Sequence, residues 1–405
     1  MLIKEESDIS FKKISTKKNI LIIQDIDGVC IPLVKDPLLR KIDPNYIESI
    51  AKLDDEFAVL TCGEHEGERG VNRIIERALN SNNKIKEQGL YLPGLAACGV
   101  EYQDKHGNME LLGLSIEENK FLSEAPKYMK KLLEKELVNS IPFKDKEQAN
   151  YEIKKAICDT RFSPAINLNS LFNIFENDLK SKIKLQEIML RVMSEIIEIA
   201  YTKGFTDSFY LHISPNLGIK NGNEIIKFAT KEDIGTTDIQ LIIKGALKEC
   251  GLLVLLNKYI KNKFGYYPFG HNFSIRNAPK GIDGLISLCK KKIRPEIMPI
   301  LIGVGDTITS NKDILENKWL RGGSDRGFLT LIQELGKAYK KENIIIFVDS
   351  SFGEVYRPST KDQTLTGITD PYDILKLNVI MNNGPKEYIK WVNKFCNNRY
   401  NMRKK

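Results

Sequence analysis

Asn19-Ile-Leu-Ile-Ile-Gln-Asp25-Ile-Asp27-Gly28-Val29-Cys30 opens with four consecutive large aliphatic residues and ends in two carboxylates and a glycine. An apolar run this short, rich in β-branched residues, reads as a strand buried on both faces, of the kind found inside a parallel sheet. Asp25 ends it. Two acids one residue apart share a face, and the chain turns at Gly28. The carboxyl end of a buried strand is where open α/β sheets bind ligands; a strand end that merely meets solvent is the other reading of the same residues.

Outward from this stretch the chain alternates. Apolar residues at helical spacing run from Ile42 to Leu53 behind Asp43-Pro44, which suit a helix N-cap and first position. Phe57–Thr61 is a second buried strand, and Val71–Leu79 a second helix. Residues 89–107 form short extended pieces closing in a turn. From 108 to 230 long helical patterns dominate, clearest over Leu179–Ala200, with a strand at Ser208–Ile213 and a turn at Pro215–Gly218. The parallel texture then returns, with strands at Ile239–Ile243, Pro299–Val304, Asn343–Val348 and Leu377–Ile380. The expected architecture is α/β: a discontinuous parallel-sheet core, 1–107 and 231–405, holding an inserted α+β unit, 108–230.

The 405 residues carry a formal charge of +8, with basic residues scattered and not joined to aromatics in a stripe. That favours a small anionic substrate over nucleic acid. The terminal Arg399–Lys405 reads as a solvated tail. Seven singly spaced cysteines, with no C-x-x-C pair, suggest reduced thiols and a cytoplasmic protein. Met1–Ser7 is too charged for the apolar segment of a signal peptide, and no apolar run reaches the roughly 18 residues of a membrane span.

Three further stations accompany Asp25 and Asp27. Thr61 places a hydroxyl at the second strand's tip, with the backbone N–H groups of Cys62 and Gly63 just beyond it, a place for an anion or equally an N-cap. Lys248 falls in the first turn of a helix, against dipole preference, and so asks for a negative partner unless it simply meets solvent. Asp306 ends the strand that runs into Gly303-Val-Gly305-Asp306-Thr307.

This order resembles the haloacid dehalogenase superfamily of phosphatases, with its D-x-D strand, Ser/Thr, Lys and acidic metal loop. The insertion resembles the cap (C2-type) that some members carry after the second motif. Within the superfamily, Gln24–Cys30, Gly63–His65, Glu87–Ala97, Asp207–Phe209, Pro215–Gly218, Ile302–Thr307 and Arg321–Arg326 resemble the glucosylglycerol-phosphate phosphatases, over about residues 19 to 380.

The resemblance implies that Asp25 is the nucleophile and Asp27 the general acid/base. Thr61, Cys62 and Lys248 bind phosphate, and Mg²⁺ is held by Asp25, the Asp27 carbonyl and Asp306. Many relatives have a second acid four residues after the first, where this chain has Ser310. A hairpin-like insertion that moves this role to Asp325 is one explanation; Asp325 as a helix N-cap is another, and the two are compatible. Glu64, His65 and Arg69, with Tyr210, His212 and Asn216 in the cap, are the candidate sugar contacts, although D-x-D hydrolysis needs no histidine and both have structural alternatives.

The implied substrate is 2-O-glucosylglycerol 3-phosphate, in a cyanobacterial osmolyte synthesis tied to salt tolerance. The synthase that makes it is a candidate partner. Sucrose, trehalose or glucosylglycerate phosphate, and a non-catalytic regulatory role for the same fold, are the competing readings.

Overall fold

The computed structural model describes residues 14–313, 316–362 and 364–404; the charged Met1–Ser7 lies outside them. Sixteen strands are labelled in chain order. The first five are β1 (Ile20–Gln24), β2 (Phe57–Leu60), β3 (Gly94–Ala96), β4 (Glu101–Gln103) and β5 (Met109–Leu111). Next come β6 (Ile157–Cys158), β7 (Ala165–Asn167), β8 (Phe209–Ser214), β9 (Asn216–Lys220), β10 (Asn223–Ile226) and β11 (Asp238–Ile243). The last are β12 (Ile300–Gly305), β13 (Thr309–Asp313), β14 (Lys318–Gly322), β15 (Ile344–Val348) and β16 (Val379–Met381).

Every residue of β1 is buried, and its alternation divides the apolar core. Ile20 and Ile22 pack with Tyr46, Tyr388 and Phe395, whereas Leu21 and Ile23 join the cluster that continues into Leu253, Phe162 and Ile166. A strand covered on both faces needs parallel neighbours whose connections cross over as helices. The sheet supplies them in the order β16-β15-β12-β1-β2-β3-β4-β5, parallel from β16 to β3, with β4 and β5 added antiparallel at one edge. The expected α/β class with a parallel-dominated sheet is therefore the observed one. The helix Pro44–Ala51 starts as its residues dictate, Asp43 accepting from the Asn45 N–H and Pro44 taking the first turn.

A second sheet, β6-β7-β11-β8, is antiparallel throughout. The long helices Ile116–Ser140 and Leu179–Thr202 pack with it, the first entered through a Ser115/Glu118 capping box. Two strands fall on the other side of the expected boundaries. β11 was expected in the parallel core, yet it pairs with β7 and β8. β5, placed after the first boundary, pairs with β4 in the large sheet. An apolar strand looks alike in either sheet, and only its partner assigns it. Pro215–Gly218, expected as a turn, is largely β9, which pairs with β10.

The C-terminal expectation also changes. Arg399 and Arg403 belong to the helix Pro385–Arg403. The Arg399 guanidinium is buried and holds both Glu56 carboxylate oxygens at 2.6 Å, with its remaining nitrogen on the Ser15 and Lys17 carbonyls. A charge run reads as solvated until the fold supplies a buried partner. Among the described residues no helix is long and apolar enough to cross a membrane.

Arg399→Ala strips a buried carboxylate of its main partner and should cost about 3 kcal/mol, the low side because Arg403 also touches Glu56. Urea unfolding measures it, and an unchanged midpoint contradicts the assignment.

Candidate active site

The carboxyl ends of β1, β2 and β12, the start of the helix Lys248–Phe264 and the hairpin β13–β14 meet at one point. Asp25 leaves β1 with its N–H on the Val304 carbonyl, and its Oδ1 accepts from the Ile26 N–H at 2.7 Å. Lys248, first residue of its helix, places Nζ 2.6 Å from Asp25 Oδ2 and 2.6 Å from Asp325 Oδ1. All three side chains are buried. The lysine at an unfavourable helix end thus has not one negative partner but two.

The hairpin explains Asp325. β13 and β14 pair from Thr309↔Gly322 to Asp313↔Lys318, so the chain makes an excursion and comes back. Asp325 Oδ2 then accepts from the N–H groups of Asp306 and Thr307, both at 2.9 Å. Asp325 occupies the N-cap position of the helix Arg326–Tyr339, but its side chain makes no cap hydrogen bond there. Its backbone thus stands at the cap position, while its carboxylate lies with Lys248 and the N–H groups of Asp306 and Thr307. Gly305 is required by this closeness, since a Cβ there would lie 2.7 Å from Asp325 Oδ2.

Asp25, Asp306 and Asp325 each bring a carboxylate oxygen within 4.8 Å of the other two. Burial raises the Asp25 carboxyl well above its ordinary range, Lys248 opposing and the two neighbouring acids adding to the rise. Burial and Asp325 push Asp306 up to about 7. Lys248 is held above its usual value; burial alone would lower it, but the two carboxylates prevail.

Three acids thus face one lysine, and Asp306 Oδ2 is buried without a hydrogen-bond partner among the described residues. A Cβ on Gly28, whose φ is +83°, would lie 2.2 Å from that oxygen. Three carboxylates, one with an orphaned oxygen, are an oxygen donor set that fits a hard cation such as Mg²⁺.

Asp27 is turned away from this cluster. Its two oxygens lie 3.0 and 2.8 Å from one Arg40 nitrogen, and Arg40 also donates to the Arg69 carbonyl. Thr61 is buried, accepting from the Gly63 N–H at 3.2 Å. It caps no helix, because the next one begins at Val71 behind Gly70. A Cβ on Gly63 would lie 3.6 Å from Thr61 Oγ1 and 3.9 Å from Asp27 Oδ2, so hydroxyl and carboxylate face one small space.

That space opens into a cleft of about 220 Å³ between the two sheets. Asp27, Arg40, Glu64, Arg69 and Cys62 line it from one side, Ser163, Asn167, Asp238 and Gln240 from the other, with Arg357. Arg40 and Arg357 are absent from the sequence expectations. Asp36-Pro37 before Arg40 marks only a turn, and nothing local distinguishes Arg357 from a surface arginine.

The remaining candidates divide. Glu64 and Arg69 reach the cleft, Glu64 accepting from the Arg161 N–H and Arg69 paired with Asp159. His65 does not. Its ring is buried, with Nε2 3.2 Å from the Gly94 carbonyl, and burial lowers its pKa to about 4. His212 and Asn216 line a different cavity, beside Lys248 and Gly323; Tyr210 lines neither. Asn216 is a structural joint, its Oδ1 accepting from the N–H groups of Gly218 and Gly323.

Cys62 departs from expectation. It forms a disulfide with Cys98, while Cys30, Cys158, Cys250, Cys289 and Cys396 are free. The N–H of Cys98 donates to the Thr61 carbonyl and that of Ala97 to Gly63, which draws the two loops together. A separation of 36 residues with no C-x-x-C spacing hides the contact.

The sequence pattern of the glucosylglycerol-phosphate phosphatases matches residues 19–396, and the chain belongs to that phosphatase family. It is 40% identical over 384 residues to the glucosylglycerol-phosphate phosphatase of Synechocystis sp., covering 92% of this chain and 91% of that one. Among solved structures, the C-terminal domain of the Candida albicans trehalose-6-phosphate phosphatase is 10% identical with a TM-score of 0.43, each chain covered to 96%. The Aspergillus fumigatus trehalose-6-phosphate phosphatase is 9% identical at 0.41, each covered to 98%.

His65 has a measurable consequence. Its folded pKa near 4 lies below the ordinary 6.5, so its stability contribution is complete above about pH 6.5 and is lost as pH falls through 4, in total about 3 kcal/mol. Glu101, which accepts from the His65 N–H, is raised to about 7, chiefly by burial, and acts with the opposite sign. The test is therefore a difference: the stability of wild type relative to His65→Gln should fall between pH 6.5 and 4. A pH-independent difference contradicts a neutral buried imidazole.

Proposed function

We propose that the protein hydrolyses the phosphate monoester of glucosylglycerol, 2-O-glucosylglycerol 3-phosphate, as the last step of osmolyte synthesis. The observation that carries this reading is 40% identity across nearly the whole chain to a phosphatase of that name. The joined Asp25, Lys248, Asp306 and Asp325 side chains give it a chemistry. The unit from about 112 to 243 acts as the cap that covers the leaving group.

Asp25 attacks phosphorus in line, forming an aspartyl-phosphate as the ester oxygen departs. Asp27 gives that oxygen its proton and later takes one from the water that cleaves the acyl phosphate, releasing phosphate and restoring Asp25. For this Asp27 must exchange its contact with Arg40, which then becomes free to bind a phosphoryl oxygen. Thr61 and Lys248 hold the transferring oxygens, and Lys248 keeps the nucleophile oriented. Asp25, Asp306 and Asp325, with the Asp27 carbonyl, would hold a divalent cation such as Mg²⁺, which would supply charge neutralisation at the phosphoryl group. On the cap side of the cleft, Asn167, Asp238 and Gln240 offer the hydrogen-bonding groups a glycosyl-polyol needs.

Phosphate release should be far faster from glucosylglycerol phosphate than from sucrose, trehalose or glucosylglycerate phosphates, and equal turnover of all four defeats the specific assignment. Asp25→Asn should lower kcat by at least about a thousandfold. Asp325→Ala should weaken the Mg²⁺ dependence of the rate by about tenfold or more; an unchanged metal titration removes Asp325 from the cation site.

A further inference from the structure

Behind the Thr61 loop lies a second group of ligand-type side chains that phosphoryl transfer does not use. Cys62 follows Thr61, Cys98 follows β3, and His212 comes from β8 in the second sheet. One ligand atom of each lies within 4.8 Å of the other two. His212 is buried, and its two nitrogens have different surroundings. Nδ1 lies 3.0 Å from Glu224 Oε1, whereas Nε2 is buried with no hydrogen-bond partner among the described residues.

Glu224 is itself fixed, its Oε2 accepting from the Ile213 N–H and from Asn216 Nδ2. With Glu224 accepting a hydrogen bond from Nδ1–H, the neutral ring keeps its lone pair on Nε2, the arrangement that orients histidine ligands in metal sites. The lone pair belongs to the side chain that shares a cavity with both sulfurs.

We propose that the reduced form of the Cys62–Cys98 pair, together with His212 Nε2, binds one thiophilic divalent ion of the Zn²⁺ type. Reduction by a dithiol delivers two electrons and two protons to the two sulfurs, the dithiol leaving as its cyclic disulfide. The ion then displaces both thiol protons. Two thiolates and an imidazole are a tetrahedral Zn²⁺ donor set with a fourth position open, here toward the cavity whose wall includes Lys248. The set is chemically opposite to the all-oxygen cluster of Asp25, Asp306 and Asp325, so the two sites take different ions. Disulfide and ion are mutually exclusive, since each uses both sulfurs. The proposal does not depend on which sugar phosphate the enzyme takes.

The test is a Co²⁺ titration of full-length protein reduced with a phosphine and held anaerobically in excess Mg²⁺. One equivalent should produce thiolate-to-cobalt charge-transfer absorption in the near ultraviolet and tetrahedral bands in the visible, both abolished by Zn²⁺. Co²⁺ in the carboxylate cluster cannot give a sulfur band. The oxidised protein should show none, and His212→Ala, Glu224→Gln and Cys98→Ser should each weaken binding by about tenfold or more. Circular dichroism checks that each variant is folded, and Glu224→Gln, which leaves all three ligands in place, serves if a cysteine variant is not. A folded, reduced wild type without the sulfur band overturns the proposal. So does a band unchanged in folded His212→Ala, because it then arises from other cysteines.

Discussion

One ammonium group between two carboxylates organises the site. Lys248 Nζ lies 2.6 Å from Asp25 and 2.6 Å from Asp325, all three buried. A charge buried without partners is expensive, and a buried pair that loses one member leaves the other uncompensated. Lys248 therefore obliges three distant segments to converge: the end of β1, the start of the helix at 248 and the loop after β14. What it does not do is balance them. Asp306 adds a third carboxylate, one of whose oxygens has no partner among the described residues.

The backbone allows this crowding at a few positions only. Gly28 and Gly305 sit where any side chain would enter the Asp306 or Asp325 carboxylate. Around them β1 and β12 are buried on both faces, so the strand ends are held by packing and not by the charges they present. The hairpin β13–β14 lengthens the loop between the two acids without moving its ends, because antiparallel pairing returns the chain to its starting point. Its return strand also packs against β9, and the shared hydrogen bonds of Asn216 tie the β9–β10 pair to the loop that carries Asp325.

The residues that gather at this point were legible because each stands at a local break in pattern: an acid ending an apolar strand at Asp25 and Asp306, a hydroxyl at Thr61, a lysine at the wrong end of a helix. Asp325 was legible for a different reason, as the acid nearest a gap left at Ser310. Arg40 and Arg357 break no pattern and stayed hidden. His65 takes its structural alternative and not a place in the cleft, since a histidine beside the cleft in sequence can turn its ring into the core.

Local sequence by itself determined the elements: where apolar runs make buried strands, where Asp43-Pro44 starts a helix, and which strand ends carry carboxylates, because period and capping act within a few residues. Tertiary structure decided who meets whom. It assigned β11 to the second sheet and β5 to the first, turned a basic tail into a buried Arg399–Glu56 pair, and joined Cys62 to Cys98 within reach of His212. Those outcomes rest on partners from 6 residues away, at Gln103↔Met109, to 343 away, at Arg399–Glu56, and the free energy of a pairing or a buried charge is a property of both partners.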